Sequence, residues 1–314
     1  MTDLTYGFDS QGHRGARGLA PENTLAAFAR ALSIGVDTIE LDVGVTRDGV
    51  IVVSHNPRLE PDVTRDENGN WLQQTGPAIH SLTLAELKTF DVGRLKPGTV
   101  YHSQYPDQAA VDGARIPALV EVLDLIRRSG NEQVRLNIET KLRPMEPDLT
   151  LSPEDFIAAL LGVLGDQGFG GRFTIQSFDW RTLRATQRQD AGVPTSYLTV
   201  RQSWFDTMEM EQPGPSPWTD GYDIDDFDGS IPDMITKAGG KIWSSYYREI
   251  SPGDVQRAHE LGLQLKVWTV NEPDDMEALI AIGVDGIITD YPDRLRRVLQ
   301  KLGMALPVPT PVAP

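Results

Sequence analysis

Short strand-like runs recur along this chain with helix-like stretches between them, and this alternation limits the fold more than any other feature. The runs cover residues 9–13, 37–45, 134–140, 172–177, 195–199, 241–246, 263–270 and 285–289. Among the helix-like intervals are Thr24–Ile34, Ala118–Arg128, Ser152–Leu164 and Asp254–Leu261. A strand followed by a helix and another strand reads as a βα unit, because a parallel connection needs about a dozen residues to cross back. Eight such units predict a (β/α)8 barrel in one domain, with a doubly wound open sheet as the alternative. A chain of 314 residues could form one large α/β domain or two ordinary ones, and its 39% apolar content is enough for a substantial core.

A ninth run, Val50-Ile-Val-Val-Ser54, follows the second after only Thr46-Arg-Asp-Gly49. That gap is too short for a parallel crossover, and Asp48-Gly49 suits a hairpin turn. The hairpin should bring His55 back beside Leu41 and Asp42. Residues 56–115 then break the alternation, with Pro, Gly, Asp and Gln in abundance and one capping pattern, Ser81-Leu-Thr-Leu-Ala-Glu86. Long insertions in barrels usually occupy βα loops, so this segment is a lid candidate, with a passive surface elaboration as the other reading. Residues 201–236 form a second irregular stretch containing Pro213-Gly-Pro-Ser-Pro217 and an acidic cluster from Asp223 to Asp228. The Pro-rich end, 306–314, reads as disordered or extended.

Chemistry concentrates at the strand ends. His13 closes the first run, and Glu40 and Asp42 lie two apart amid Ile39, Leu41 and Val43, so they share one face of their strand. Glu139 and Lys141 repeat that spacing at the end of Val134-Arg-Leu-Asn-Ile-Glu-Thr140. Polar groups inside a barrel mouth are costly unless paired or metal-bound. Glu40, Asp42 and Glu139 therefore make a candidate oxygen site for a hard divalent cation, Ca2+ or Mg2+, the alternative being ion pairs with Arg14 or Lys141. Arg14 and Lys141 are candidate phosphate ligands, the first as a two-pronged fork and the second as a point charge. His13 and His55 are a candidate acid–base pair, with reference pKa values of roughly 6.5 that carboxylates would raise and a cation lower. Pro21-Glu-Asn-Thr24 leads into a helix that Asn23 or Thr24 could cap, and Glu22 could orient Arg14. Gln176, Trp268 and Asn271 sit at later strand ends. His80, His102 and His259 lack such neighbours and read as surface or packing residues.

These residues also carry a resemblance. Gln11-Gly-His-Arg-Gly-Ala-Arg-Gly-Leu-Ala-Pro-Glu-Asn-Thr24 resembles the opening motif of glycerophosphodiester phosphodiesterases. Ile39-Glu-Leu-Asp-Val43, Val53-Ser-His55, Asn137-Ile-Glu-Thr-Lys141, Ile175-Gln-Ser-Phe178, Val267-Trp-Thr-Val-Asn271 and Gly286-Ile-Ile-Thr-Asp290 follow in that family's order. Asn56 departs from the family, which often has aspartate after the second histidine. The resemblance spans 11–295 and implies the barrel, with residues 56–115 over its active-site face. It implies hydrolysis of a glycerophosphodiester to glycerol 3-phosphate and an alcohol. His13 and His55 would act on opposite sides of the phosphorus, and the nucleophile would be water or the glycerol 2-hydroxyl. It further implies that Trp268 lines the substrate pocket; Gln176 is a further candidate for substrate binding, and Glu22 and Asn271 are candidates to support the site from behind. Two rival readings are a phospholipase D of the same superfamily and a catalytically dead barrel that binds glycerophosphodiesters.

Composition narrows the partners. A formal charge of −16 argues against a chain that tracks nucleic acid or anionic membranes, and it requires any phosphate site to build its own local positive potential. No cysteine is present, which removes disulfides and thiolate metal sites and is compatible with cytoplasm or periplasm. Met1-Thr-Asp-Leu-Thr-Tyr6 shows no leader pattern, as expected of a cytoplasmic protein or of a secreted one already trimmed. No apolar run approaches the length of a membrane span. There is no GxGxxG or Walker loop, and no Gly-x-Ser-x-Gly elbow to support a serine esterase.

Overall fold

The alternation closes on itself in space. The computed structural model describes residues 7–314; the first six, which carry the leader reading, lie outside it. The strands are β1 (Asp9–Gly12), β2 (Thr38–Val45), β3 (Ile51–Val53), β4 (Arg135–Thr140), β5 (Phe173–Ser177), β6 (Thr195–Thr199), β7 (Arg201–Gln202), β8 (Phe205–Asp206), β9 (Ile242–Tyr246), β10 (Gln264–Trp268) and β11 (Gly286–Thr289). Helices α1 (Leu25–Ile34), α2 (Leu84–Leu87), α3 (Val100–Gln104), α4 (Leu119–Arg128) and α5 (Pro153–Asp166) precede α6 (Trp180–Gln189), α7 (Ile231–Lys237), α8 (Pro252–Glu260), α9 (Pro273–Ala281) and α10 (Pro292–Lys301). Eight strands pair in parallel in the order β1-β2-β4-β5-β6-β9-β10-β11. β1 joins both ends, pairing Asp9 with Gly286 on one side and Gln11 with Thr38 on the other. An open sheet has no such seam, so the doubly wound alternative is excluded and the (β/α)8 barrel holds.

The hairpin forms where Asp48-Gly49 predicted it. β3 runs antiparallel to the end of β2, with Val43 opposite Val53. Gly49 takes the left-handed backbone the turn needs (φ 79°), and Ser54 N–H donates to the Asp42 carbonyl at 3.0 Å. The side-chain alternation of β2 turns Ile39, Leu41 and Val43 toward the helices, where they join the main apolar core with Phe28, Leu119 and Leu123. The Leu119–Ile126 stripe of α4 is buried in that core as its spacing required. Thr24, rather than Asn23, caps α1, accepting from Ala27 N–H.

At the amino-terminal end of the barrel the interior is closed by an ionic knot. The buried Asp9 carboxylate accepts from Arg135 Nη2 (2.9 Å), Thr38 Oγ1 (2.7 Å) and Gln11 Nε2 (2.9 Å), and it pairs with Lys266 Nζ. Burial alone would raise its pKa, but Lys266 and Arg135 hold it well below the usual carboxylate range.

Residues 56–115 follow β3 and contain α2 and α3. Their small apolar cluster joins Leu59, Ile79 and Leu87 to Val52 of β3 and to Ile116 just beyond the segment. Thr83 and Glu86 form the capping box of α2 within the pattern read from the sequence. The 306–314 end is extended and lies against the barrel: Thr310 N–H donates to the Leu32 carbonyl, and Arg128 Nη1 to that of Ala313, both at 2.9 Å. Among the described residues no helix is long and apolar enough to cross a membrane.

Candidate active site

The strand-end residues meet at the carboxyl-terminal mouth of the barrel. Strand register does much of this, since Asp42 of β2 lies opposite Glu139 of β4, and Glu139 lies opposite Gln176 of β5. Asp42, Glu139 and Gln176 thus stand at one level, with Glu40 one pleat below. Ligand atoms of Glu40, Asp42 and Glu139 all lie within 4.8 Å of one another, and all three residues are buried. The loop after β1 wraps beneath them: Arg14 N–H donates to Glu40 Oε2 at 2.8 Å, and Gly15 N–H to the Glu40 carbonyl at 3.1 Å. Gly15 must be glycine, since a Cβ there would lie 2.7 Å from the Ala27 carbonyl carbon and its φ is 86°. Arg14 also has a left-handed backbone (φ 48°), a conformation that costs an L-residue about 1–3 kcal/mol and that here turns its N–H onto Glu40.

Each predicted residue has identifiable partners. Arg14 Nη1 donates to Glu22 Oε1 at 2.6 Å, and its Nε lies 3.4 Å from Asp42 Oδ2. Lys141 Nζ pairs with Glu139 Oε1 and lies 3.5 Å from Asp42 Oδ1. The ion pairs weighed as an alternative to a cation site are therefore present, but two cations face three carboxylates. Gln176 Nε2 donates to Glu40 Oε1 and its Oε1 accepts from Asn137 Nδ2, both at 2.9 Å, so its amide orients a carboxylate as well as lining the cavity. Trp268 lines the cavity with its Nε1–H tied to the Ser244 carbonyl at 3.1 Å. Asn271 lies behind, donating through Nδ2 to Asp290 Oδ2 at 2.8 Å.

The histidines lie on the cavity wall, each pinned through Nδ1. His13 bonds Asp290 Oδ1 and His55 bonds Asn56 Oδ1, both at 2.7 Å. With Nδ1–H donated, each neutral ring keeps its lone pair on Nε2. Burial, followed by Arg17, lowers the His13 pKa to about 4, despite Asp290 pulling the other way. Burial, then Arg14 and Lys141, lowers that of His55 well below its ordinary value. The sequence reading weighed carboxylates against a cation and left out this stronger desolvation effect.

The carboxylates oppose one another. Burial raises Glu40 well above its ordinary value, with Asp42 and Glu139 adding to the effect. Burial pushes Glu139 up to about 7, with Lys141 opposing and Asp42 reinforcing. Asp42 is also penalised by burial, but His55, Lys141 and Arg14 hold it well below the carboxylate range. Asp42 Oδ1 is buried and accepts no hydrogen bond among the described residues, a costly arrangement without a further partner. An all-oxygen donor set with one buried carboxylate oxygen that has no hydrogen bond and only the Lys141 ammonium at 3.5 Å fits a hard divalent cation such as Ca2+ or Mg2+.

Sequence reasoning passed over several residues. Asp290 immediately follows β11, and it holds Arg17 in a two-pronged pair (Nε–Oδ1 2.7 Å, Nη2–Oδ2 3.0 Å). Asn23 donates to Asp42 Oδ2 at 2.8 Å instead of capping α1. The usable signal was a strand-end aspartate and a second arginine one turn after His13. Phe178, Trp204, Phe205 and Trp218 make the opposite wall of the cavity, which encloses about 350 Å3. Three of those four come from residues 201–236, whose irregular sequence gave no sign of it.

The model of the glycerophosphoryl diester phosphodiesterase family matches residues 13–294. A glycerophosphodiester phosphodiesterase of Caldanaerobacter subterraneus is 31% identical over 294 residues, covering 93% of this chain and 97% of the relative. A crystal structure of a candidate glycerophosphoryl diester phosphodiesterase from Silicibacter pomeroyi superposes with a TM-score of 0.84 at 37% identity, covering 96% of each chain. The fold also matches that of an Oleispira antarctica phosphodiesterase solved with its product sn-glycerol-3-phosphate (TM-score 0.67, 21% identity, covering 94% of this chain and 97% of that one).

Proposed function

As a member of the glycerophosphoryl diester phosphodiesterase family, to which the chain belongs, this protein is a phosphoric diester hydrolase, and we propose that His13 and His55 catalyse its reaction as an acid–base pair. The substrate on this reading is a glycerophosphodiester, split into glycerol 3-phosphate and an alcohol. The observation that carries it is the convergence of two Nδ1-anchored histidines, Arg14, Lys141, Glu40 and Glu139 on one cavity, with Asp42 completing the buried carboxylate triad within 4.8 Å.

Glu40, Asp42 and Glu139 would hold the cation, Ca2+ or Mg2+, whose charge polarises a phosphoryl oxygen when bound. Arg14 and Lys141 bind and neutralise the phosphate, while Arg17 is committed to Asp290. One histidine takes a proton from the nucleophile at Nε2 while the other, protonated, delivers one to the leaving oxygen. Asp290 and Asn56 keep the two rings oriented throughout. Gln176 holds Glu40 in position, Glu22 and Asn271 fix Arg14 and Asp290, and Trp268 closes the pocket beside the substrate.

One observation favours a second reading. Phe178, Leu198, Trp204, Phe205, Trp218 and Trp268 give the cavity an apolar wall of the kind a lysophospholipid chain requires. Rates of glycerol 3-phosphate release from glycerophosphocholine and of choline release from lysophosphatidylcholine separate the two. Faster turnover of the deacylated diester is the expected result. Preference for the lysolipid supports the second reading, and binding without turnover of either would show a dead barrel.

Lys141→Ala should lower kcat by about 10²-fold, because a cation near the phosphoryl group acts most strongly on charge that grows in the transition state. Steady-state kinetics on glycerophosphocholine read this directly. A raised KM with kcat intact would instead make Lys141 a ground-state binder.

A further inference from the structure

We propose that Tyr101, in the 56–115 insertion, is a positioning residue that holds Arg14 and His13 in register through one shared hydroxyl. It rests on the acid–base reading above.

The geometry around this side chain is specific. Tyr101 lies on α3, whose first turn is capped by Thr99 accepting from His102 N–H. Its neighbour Val100 is 76% exposed, while Tyr101 turns inward. The Tyr101 hydroxyl donates to Glu22 Oε2 and accepts from Arg17 Nη1 at 3.3 Å. Two chains of charge-assisted hydrogen bonds leave this point. One passes from Glu22 Oε1 to Arg14 Nη1 (2.6 Å), while the other passes from Arg17 to Asp290 (2.7 and 3.0 Å) and on to His13 Nδ1 (2.7 Å). Only a group that is donor and acceptor at once can serve both, and phenylalanine would pack there without serving either.

The neighbours reinforce this. The Arg17 guanidinium lies 4.8 Å from the centre of the Tyr105 ring, which meets the Tyr101 ring edge-on at 5.3 Å. Gln108 Nε2 donates to the Arg17 carbonyl at 2.7 Å, and Ala109 N–H to that of Leu19 at 3.0 Å. The insertion is therefore fastened to the loop that carries His13, Arg14 and Arg17. Burial, with the Glu22 charge beside it, keeps the Tyr101 phenol protonated far above neutral pH, so its donor is always available. A surface elaboration with no part in the reaction would need none of these polar contacts.

The test compares Tyr101→Phe, Glu22→Gln and their double variant with the parent enzyme in the same metal-loaded state. The alanine variants of His13 and His55 test the acid–base reading separately, so a failure of one is not a failure of the other. Tyr101→Phe should lower kcat about tenfold with KM changed less than twofold, and Val100→Ser should leave both unchanged. The double variant should lose no more than the worse single one, because both variants break the same Tyr101–Glu22 link. If Tyr101→Phe does not fold, Glu22→Gln alone must still show the kcat loss. Parental kcat in Tyr101→Phe, fully additive losses, or a loss that disappears below a lowered melting temperature would overturn the proposal in favour of plain packing.

Discussion

Stripping divalent cations with EDTA is expected to abolish turnover, and adding back Ca2+ or Mg2+ to restore it. The physical reason lies in the triad. Three carboxylates buried within 4.8 Å repel one another, and Arg14 and Lys141 offset only part of that repulsion. Metal chemistry of this kind is worth several kcal/mol, so a loss of about 10³-fold or more is the reasonable scale. Glu40→Gln and Asp42→Asn should weaken cation binding, measured by calorimetry, as well as activity. Asp42 is the more informative of the two, since its Oδ1 is the buried oxygen without a hydrogen bond. Full activity in a preparation shown by elemental analysis to be metal-free would remove the proposed role of Glu40, Asp42 and Glu139.

Replacing His13 or His55 by alanine should each lower kcat by about 10²–10⁴-fold, the range for removing a positioned proton-transfer group. A diester with a good leaving group, such as a nitrophenyl phosphodiester, tells the roles apart. Its leaving oxygen needs no proton, so it should rescue the variant lacking the acid and not the variant lacking the base. The pH profile should be bell-shaped: at low pH the base is protonated and rate falls, and at high pH the acid loses its proton and rate falls again. Both rings are held below their ordinary pKa by burial and neighbouring cations. The acid therefore needs the anionic phosphodiester beside it to keep its proton, which predicts a bell displaced upward in kcat relative to kcat/KM. Near-parental activity of both alanine variants on glycerophosphocholine would make the histidines structural.

The barrel was legible because its signal is local and repeated. Each of the eight strand-like runs between helix-like stretches became a barrel strand, and the hairpin at Asp48-Gly49 brought Ser54, next to His55, onto Asp42 as turn chemistry required. The spacing of Glu40 and Asp42, and of Glu139 and Lys141, was enough to set each pair on one face, since side-chain alternation in a strand is fixed by covalent geometry.

What stayed hidden depends on contacts far apart in the chain. That Asp290 would hold both Arg17 and His13, 273 and 277 residues away, follows only when β11 closes against β1. Asn23 could cap a helix or bind Asp42, and only the packed loop decided, giving the cap to Thr24. The aromatic wall comes from an irregular stretch with no periodicity to read, and Tyr101 from an insertion whose docking leaves no sequence pattern. The sequence determined, through local periodicity, which residues stand at the barrel mouth. Tertiary closure decided which of them touch, because hydrogen-bond partners and desolvation are set by distance in space and not along the chain.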